Sequence, residues 1–268
     1  MLAPVLHPGE FSRVNRTTDL EAREASAAAA GAAVKRAYVR RMFSDIAPRY
    51  DLLNRVLSLG VDRYWRRLAL ARLGWERDPA GTFLDLCAGT LDVAAALSAR
   101  AGFTGQVIGA DFAEPMLRAG RSKLAGRPIA PVVADALSLP MADGSLAGAI
   151  VAFGIRNVAD LDACLREVRR TLKPGARFVI LEFSTPRMAL ARSVYHAYFH
   201  HVLPRIGGLV SGHRTAYTYL PESVRSFPEG SALAARMVSA GFGDVQWRAL
   251  TFGIAAVHVG TKTADGGR

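Results

Sequence analysis

The chain has 268 residues and half of them are hydrophobic, which is enough to bury a sizeable core. Its net charge of +11 would suit nucleic acid or anionic lipid but selects neither, since surface charge mainly governs solubility and non-specific binding. The two cysteines, Cys87 and Cys164, exclude a disulfide framework and a cysteine-based metal cluster, and they favour a reducing, cytoplasmic setting.

The N-terminal quarter divides into an extension and a helical cap. Residues 1–34 are low in complexity, lack the apolar region of a secretory signal and are predicted to be disordered. Residues 35–75 carry apolar side chains at helical spacing with a break at Pro48, which predicts helices. We expect these helices to form a cap packed on the core. The pattern leaves open whether the cap is also a lid over an apolar substrate.

From residue 82 onward, short apolar runs alternate with helical segments. The predicted strands are 82–87, 106–110, 131–134, 146–151, 176–181, 244–250 and 253–260, and the predicted helices are 92–101, 114–125, 160–172 and 230–240. Apolar strands alternating with helices are typical of a buried parallel sheet. The short turn between the last two strands predicts one antiparallel edge strand. The fold class is therefore α/β, with a seven-stranded, mostly parallel sheet that carries helices on both faces.

Two further segments complete the predicted organisation. Residues 184–228 contain aromatic and histidine side chains without a strand pattern, which predicts a helical insertion after strand five. No run approaches the roughly 20 apolar residues of a membrane helix. One domain is predicted over residues 35–262, followed by a tail at 263–268.

Acidic residues stand at the ends of the first three predicted strands, where open α/β sheets bind ligands. Asp85 precedes the loop 88–91, Asp111 ends the second strand and Asp135 ends the third. Gly89 would let the backbone approach a ligand, and an acid at strand two can accept hydrogen bonds from both ribose hydroxyls. A polar side chain at strand three can meet an adenine amino group. One such acid is usually a helix cap, but three in succession indicate a nucleoside site.

The loop after the first strand argues against a dinucleotide. NAD-binding loops need three glycines to admit a pyrophosphate, whereas Gly89 is the single glycine in 88–92 and Asp92 would repel an anion. The amino-acid end of S-adenosylmethionine carries cationic ammonium and sulfonium groups, which this loop would accept. The segment LDLCAGTLD (84–92) is therefore predicted to bind S-adenosylmethionine.

Seven further segments carry a family resemblance. They are MFSDIAPRYDLL (42–53), ADFAEPML (110–117), FGIRNV (153–158), LKPGARFVILE (172–182), HVLPRIG (201–207), YLPESVRSFP (219–228) and TFGIAAVHVGTK (251–262). Together with the loop they resemble class I methyltransferases, and more specifically the quinone-biosynthesis C-methyltransferases that act on demethylmenaquinol and, in some members, on the ubiquinol precursor. The resemblance covers residues 38–262.

The resemblance implies a Rossmann-like fold and methyl transfer from S-adenosylmethionine to a ring carbon of a prenylated quinol, with demethylmenaquinol as the favoured acceptor in menaquinone biosynthesis. It adds Thr90 and Ala136 to the cofactor residues, so that the predicted set is Asp85, Gly89, Thr90, Asp111, Asp135 and Ala136. Two positions depart from the family. Leu91 stands where a smaller residue is common and is expected to shift the loop, and Ala152 replaces a serine, which removes a hydroxyl contact.

Arg156 and Asn157, just past the fourth strand, are the catalytic candidates. A hydroquinone carbon becomes nucleophilic when the neighbouring hydroxyl loses its proton, so the enzyme must position two reactants and assist that loss. Arg156 is predicted to stabilise the developing phenolate and Asn157 to orient the hydroxyl or a water. The alternative for Arg156 is a structural ion pair with a carboxylate. Tyr50, His201 and Tyr219 are further polar candidates.

The implied acceptor has a long prenyl tail, which predicts peripheral contact with the inner face of a membrane. Apolar faces of residues 38–68 and 187–210 would cover the tail, and Arg63, Arg66 and Arg67 would meet lipid head groups. The alternative is that these arginines form an ordinary solvated helix face. A homodimer is left open. The histidine spacing predicts no metal site.

The sequence leaves two alternative functions. A nucleic-acid methyltransferase would suit the charge, but amino-group methylating enzymes commonly carry N-P-P-[YF] after strand four, where this chain has GIRN (154–157). No nucleic-acid partner is therefore expected. A non-catalytic scaffold that keeps the fold is the second alternative, and Leu91 and Ala152 are the residues that would support it.

Overall fold

The computed structural model describes residues 35–58, 60–186, 188, 193 and 214–264. The predictions for residues 1–34, for His201 and for most of the insertion lie outside the described residues. Within them, the helices are α1 (Lys35–Ile46), α2 (Tyr50–Leu57), α3 (Val61–Leu73), α4 (Asp92–Ser98), α5 (Glu114–Ala119), α6 (Leu161–Thr171), α7 (Arg214–Ser226) and α8 (Gly230–Ser239). The strands are β1 (Thr82–Leu86), β2 (Gln106–Asp111), β3 (Ile129–Val133), β4 (Leu146–Ala152), β5 (Leu172–Phe183), β6 (Phe242–Leu250) and β7 (Ala255–Lys262).

The strands form one seven-stranded sheet in the order β3-β2-β1-β4-β5-β7-β6. The pairs from β3 to β5 are parallel, and β7 is antiparallel to both of its neighbours. The predicted α/β class is confirmed. The antiparallel strand, however, is not at the edge as predicted: the chain leaves α8, builds β6 as the edge strand and turns back through Thr251–Gly253, which places β7 between β5 and β6.

The helix ends follow local chemistry. The Asp160 carboxylate accepts a hydrogen bond from the Ala163 amide at 2.9 Å and so caps the start of α6. Gly74 ends α3 in a left-handed conformation with φ of 72°, which glycine adopts at little cost. Strand β5 begins at Leu172 rather than at 176, because the K-P-G segment is already part of the strand.

The sheet separates two hydrophobic layers. Phe178 and Ile180 point to the layer shared with α6 and α8, while Val179 and Leu181 point to the layer shared with α3 and α4. This alternation along β5 buries both faces of the strand, which explains its continuous apolar sequence.

Helices α1 and α2 of the cap lie against the carboxyl end of the sheet. Phe43 and Tyr50 pack with Ala113 and Met116, which stand at the start of α5. The Tyr38 ring lies 5.5 Å from the ring of Tyr219 in α7. The cap therefore covers the edge at which the predicted cofactor residues end their strands. Among the described residues, no helix is both long and apolar enough to cross a membrane.

A buried histidine connects β7 to α8. His258 in β7 is 2% exposed, its Nε2 donates to the Gly230 carbonyl at 2.8 Å, and its ring stacks on Trp247 at 5.7 Å. Its Nδ1 has no hydrogen-bond partner among the described residues. Burial lowers the pKa of His258 from 6.5 to about 4, because a protonated imidazole would lose its hydration.

This shift predicts a loss of stability in acid. Below pH 6.5, His258 is protonated in the unfolded chain but stays neutral in the native protein. The free energy of unfolding therefore falls as the pH approaches 4. At about 1.4 kcal/mol per pKa unit, the native protein should lose about 3 kcal/mol more than His258→Gln between pH 7 and pH 4. Urea unfolding of both proteins across this range measures the difference. Parallel pH profiles would contradict the prediction. The raised pKa of Asp85 has the opposite effect on the free energy of unfolding as the pH falls. Asp85 is present in both the native protein and His258→Gln, so the difference between them isolates the contribution of His258.

Candidate active site

A cavity opens at the carboxyl ends of β1 to β4, beneath the cap. Of the predicted cofactor and catalytic residues, five line it: Gly89, Asp111, Asp135, Ala136 and Asn157. The rest of the lining is mainly apolar and aromatic, including Phe43, Met116 and Phe153. The structure therefore brings the ends of four strands to one cavity.

The loop after β1 has an unusual backbone. Cys87, Gly89 and Leu91 have φ of 52°, 52° and 66°, and Phe153 at the end of β4 has φ of 63°. Non-glycine residues rarely adopt this left-handed conformation, and such strain concentrates at functional sites. A Cβ on Gly154 would lie 2.4 Å from the Cβ of Cys87, so the two strand ends can approach only because residue 154 is glycine.

Asp85 supports this loop from beneath. Its carboxylate is 1% exposed and accepts a hydrogen bond from the Ala94 amide at 2.9 Å, which ties β1 to the first turn of α4. Burial raises the pKa of Asp85 to about 7. Asp85 does not line the cavity. This placement differs from the predicted direct contact, because the side chain points behind the loop.

Asp111, unlike Asp85, reaches the cavity. Its two carboxylate oxygens accept hydrogen bonds from the Gly89 amide at 2.8 Å and the Ala113 amide at 2.9 Å. Burial raises its pKa, although these two bonds favour the charged form. Each oxygen has a second lone pair, so Asp111 can hold the loop and still accept from a ligand.

Asp135 and Ala136 follow β3 and also line the cavity. The Asp135 carboxylate accepts from the Leu137 amide at 3.1 Å and forms an ion pair with Arg36 of α1. Arg36 also lines the cavity, a role for which the sequence offered no local signal. The cap and β3 therefore meet at the predicted adenine position.

Arg156 lies in a position different from the predicted one. Its side chain is 7% exposed and pairs at 2.7 Å with Glu182 of β5, and it donates to the Phe153 carbonyl at 2.5 Å and to Ser223 Oγ at 3.3 Å. It does not line the cavity. The ion pair with the buried Glu182 carboxylate holds the guanidinium in this position. The structural ion pair, the alternative for Arg156, is thus the arrangement observed.

Asn157 does face the cavity, and two tyrosines accompany it. Its Oδ1 accepts a hydrogen bond from the Tyr219 hydroxyl at 3.1 Å, which leaves the amide nitrogen to donate elsewhere. Tyr50 lines the cavity from the cap. Burial raises the pKa of Tyr50, so its hydroxyl stays protonated and can donate at neutral pH. Asn157 and Tyr50 thus add two uncharged polar groups to a wall that also contains Phe43 and Phe153.

Leu91 was expected to shift the loop. Instead its side chain is fully buried in the hydrophobic layer beneath the loop and does not line the cavity. A Cβ on Gly109 of β2 would lie 2.3 Å from Leu91 Cδ2, so the leucine fills the space that the glycine leaves. Leu91 and Gly109 therefore form a matched pair. Ala152, the second departure, lies in the cavity wall.

The pair predicts a coupled effect on stability. Leu91→Ala should cost about 2 kcal/mol by opening a cavity, and Gly109→Ala about 1 kcal/mol by overpacking. The double variant should be at least about 1 kcal/mol more stable than the sum of the two losses, because the added methyl fills the space vacated by leucine. Urea unfolding of the four proteins measures this coupling. Additive losses would mean that the two side chains do not share this space.

Comparisons with known proteins identify the family of the chain. Residues 32–262 match the family model described as the ubiE/COQ5 methyltransferase family. A demethylmenaquinone methyltransferase of Thermus thermophilus is 50% identical over 223 residues, which cover 82% of this chain and all of that protein. A ubiquinone/menaquinone biosynthesis C-methyltransferase UbiE of Geobacter sulfurreducens is 47% identical over 84% of this chain and 88% of its own length.

Solved structures extend the likeness to the fold. The [4+2]-cyclase SpnF superposes with a TM-score of 0.61 at 17% identity, covering 84% of this chain and 96% of that one. A SAM-dependent methyltransferase of Thermotoga maritima gives a TM-score of 0.57 at 18% identity, covering 83% and 99%. At this identity the likeness shows the Rossmann-like fold alone. The family match and the close relatives carry the assignment further: the chain belongs to the ubiE/COQ5 methyltransferase family.

Proposed function

We propose that this protein transfers a methyl group from S-adenosylmethionine to a ring carbon of a prenylated quinol, with demethylmenaquinol as the acceptor. The observation that carries the proposal is the cavity at the carboxyl ends of β1 to β4, which joins acidic strand ends to an apolar, aromatic wall. Relatives that are 50% identical and are named demethylmenaquinone methyltransferase support the choice of acceptor. The ubiquinone precursor is a second acceptor to be tested, since other relatives carry both quinones in their names.

The residues that line the cavity suit S-adenosylmethionine in their charge and in their small side chains. Asp111 and Asp135 supply carboxylates for the ribose hydroxyls and the adenine amino group, and Gly89 and Ala136 leave room for the backbone to approach the ligand. When bound, S-adenosylmethionine supplies a methyl group on a cationic sulfur. Thr90 acts from outside the cavity, because its hydroxyl is bonded to Asp51 of the cap.

The acceptor would be held by groups at the end of β4. Asn157 is fixed by Tyr219, so its amide nitrogen is available to a ring hydroxyl. Arg156 would not contact the acceptor directly. Its hydrogen bond to the Phe153 carbonyl and its ion pair with Glu182 instead hold the turn that carries Asn157. Phe43 and Phe153 supply apolar surface for the ring and keep water from it.

Incubation with labelled S-adenosylmethionine tests the proposal directly. Demethylmenaquinone is offered in reduced and in oxidised form, and the extracted lipid is analysed for methylated quinone. We expect label in the reduced acceptor only, because the quinol can lose a hydroxyl proton and the quinone cannot. The ubiquinone precursor serves as a parallel acceptor. Absence of methylated product from every acceptor, in a protein that binds S-adenosylmethionine, would leave the non-catalytic scaffold as the correct function.

We further propose that the acceptor enters from a membrane surface beside the turn Thr251–Gly253. This turn lies at the cavity edge of the sheet, since Ala255 pairs with Phe183, the last residue of β5. Phe252 is 73% exposed, and a hydrogen bond of 2.8 Å from Trp65 to Thr251 ties the turn to α3. An exposed aromatic side chain near basic residues suits an anionic bilayer surface.

The basic residues of α3 differ in whether they are available to a membrane surface. Arg63 and Arg67 are exposed and can meet lipid head groups. Arg66, which was predicted to join them, pairs with Asp62 and Asp92 instead and so faces the protein.

Co-sedimentation with anionic liposomes at low salt tests the membrane contact. We expect Phe252→Ser to reduce the bound fraction, because serine removes the apolar group that would enter the interface. Val238→Ser, which changes an exposed apolar residue on α8, is the matched control and should bind as the native chain does. Equal binding by both variants, or no binding by the native protein, would refute this surface.

A further inference from the structure

Lys123 joins three separate parts of the protein. It ends the short 3₁₀ helix Arg121–Lys123 after α5, and its ammonium donates to Asp51 of α2 at 2.6 Å, to Asp92 of α4 at 2.6 Å and to the Thr90 carbonyl at 2.9 Å. An ammonium has three N–H donors, so these three oxygens use all of them. The side chain is 23% exposed, which protects the contacts in part from solvent.

A second bond closes the connection between the cap and the loop. The Thr90 hydroxyl donates to the Asp51 oxygen that Lys123 does not contact. Partial burial would raise the pKa of Asp51, but the bonds from Lys123 and Thr90 outweigh it and lower the pKa, so the carboxylate is charged at neutral pH. Asp51 and Lys123 thus hold both the side chain and the carbonyl of Thr90.

The loop has little freedom on its other sides. A Cβ on Gly120 would lie 2.5 Å from the Thr90 carbonyl oxygen, which shows how closely the end of α5 approaches the loop. The Gly89 amide, one residue earlier, donates to Asp111 in the cavity. Any movement of Thr90 would therefore displace Gly89 and its contact with the predicted ribose-binding acid.

Lysine is better suited than arginine to bridge these three oxygens. Lys123 is one of four lysines among the 34 basic residues of the chain. A guanidinium presents its donors in one plane, whereas an ammonium can direct three donors to oxygens that lie in different directions. Arginine at this position would keep the charge but could not reproduce all three contacts.

We propose that Lys123 is a positioning residue for the methyl donor: by bridging Asp51, Asp92 and the Thr90 carbonyl, it holds cap helix α2 on the cofactor loop and keeps the loop in its binding conformation. The assignment rests on the proposed function, because it takes S-adenosylmethionine as the ligand of the cavity. It concerns binding and not the chemical step, since Lys123 does not line the cavity.

Lys123→Met in the full chain is the direct test. Methionine keeps much of the length and apolar stem but removes all three donors. We expect the Kd for S-adenosylmethionine, measured by calorimetry, to rise about tenfold, and the KM for S-adenosylmethionine to rise with it. The kcat at saturating S-adenosylmethionine should change less than threefold. Lys123→Arg should fall between the native protein and Lys123→Met, because it restores the charge without the full geometry.

Lys173→Met is the matched control. Lys173 forms an ion pair with Asp78 at 3.0 Å at the amino end of β5, away from the cavity edge of the sheet. Its loss should leave the Kd unchanged. Asp51→Asn, a second variant that attacks the same bridge from the cap, should weaken binding in the same direction as Lys123→Met.

Hydrogen exchange separates positioning from general stability. Without ligand, Lys123→Met should accelerate amide exchange in residues 50–57 and 88–92 and leave β4 and β5 unchanged, whereas a merely structural role would raise exchange throughout. If the native chain binds S-adenosylmethionine and Lys123→Met binds it with the same Kd, the assignment of Lys123 is wrong but the proposed function still stands. Failure of the native chain to bind S-adenosylmethionine would overturn the proposed function and, with it, this assignment.

Discussion

Glu182→Gln should lower the free energy of unfolding by about 3 kcal/mol, because it leaves the buried Arg156 guanidinium without its counter-charge. The carboxylate is 2% exposed, it pairs with Arg156 at 2.7 Å, and it also accepts from the Phe183 amide at 2.9 Å. Glutamine can replace the hydrogen bond but not the charge. Urea unfolding of the native and variant proteins at pH 7 measures the loss.

Asp78→Asn provides the matched control for this prediction. Asp78 and Lys173 form an ion pair in which both side chains are about half exposed, at 44% and 45%. Solvent screens such a pair, so its loss should cost less than about 1 kcal/mol. An equal loss in Glu182→Gln and Asp78→Asn would show that the Arg156–Glu182 pair contributes no more than a surface contact.

A double variant distinguishes the structural role of the pair from its role in the site. Replacing a buried ion pair by apolar residues of similar volume is often neutral for stability, so Arg156→Met with Glu182→Leu should recover most of the lost free energy. Methyl transfer should not recover, because the Phe153 carbonyl loses the bond that holds the turn presenting Asn157. Recovery of both properties would mean that the turn needs no such support.

The strand ends of the site could be predicted from the sequence because their signals are local. An apolar run followed by Asp111 or Asp135 marks both the strand and its carboxyl end, and the parallel order then brings these ends together. The partner of Arg156 could not be predicted in this way. Glu182 is 26 residues away on a neighbouring strand, and only the pairing of β4 with β5 brings the two together.

The roles of Lys123 and Leu91 also could not be predicted from the sequence. Lys123 lies in a surface-like sequence, and its function depends on Asp51, which is 72 residues away in the cap. From the sequence, Leu91 is predicted to be too large for its loop. In the structure its side chain fits because Gly109, which packs against it, has no side chain. In both cases the controlling feature is a contact between elements that are distant in sequence. A pattern read along the chain does not contain that information.

Asp111→Ala should weaken S-adenosylmethionine binding about 100-fold. Hydrogen bonds to a charged acceptor are worth about 1.5–3 kcal/mol each, and two ribose hydroxyls would lose theirs. A loss of about 3 kcal/mol corresponds to roughly two decades in Kd. The change also removes the acceptor of the Gly89 amide, so the loop loses one of its supports. Calorimetric titration of the native protein and the variant measures the effect.

The matched control and a second ligand make this prediction specific. Asp162→Asn removes an exposed carboxylate on α6, where Asp162 pairs with Arg236 at 3.3 Å, and should leave the Kd unchanged. S-adenosylhomocysteine has the same ribose but an uncharged sulfur. If Asp111 binds the ribose, Asp111→Ala should weaken both ligands by the same factor. A much larger loss for S-adenosylmethionine would mean that Asp111 instead stabilises the cationic sulfur, and that its assignment to the ribose is wrong.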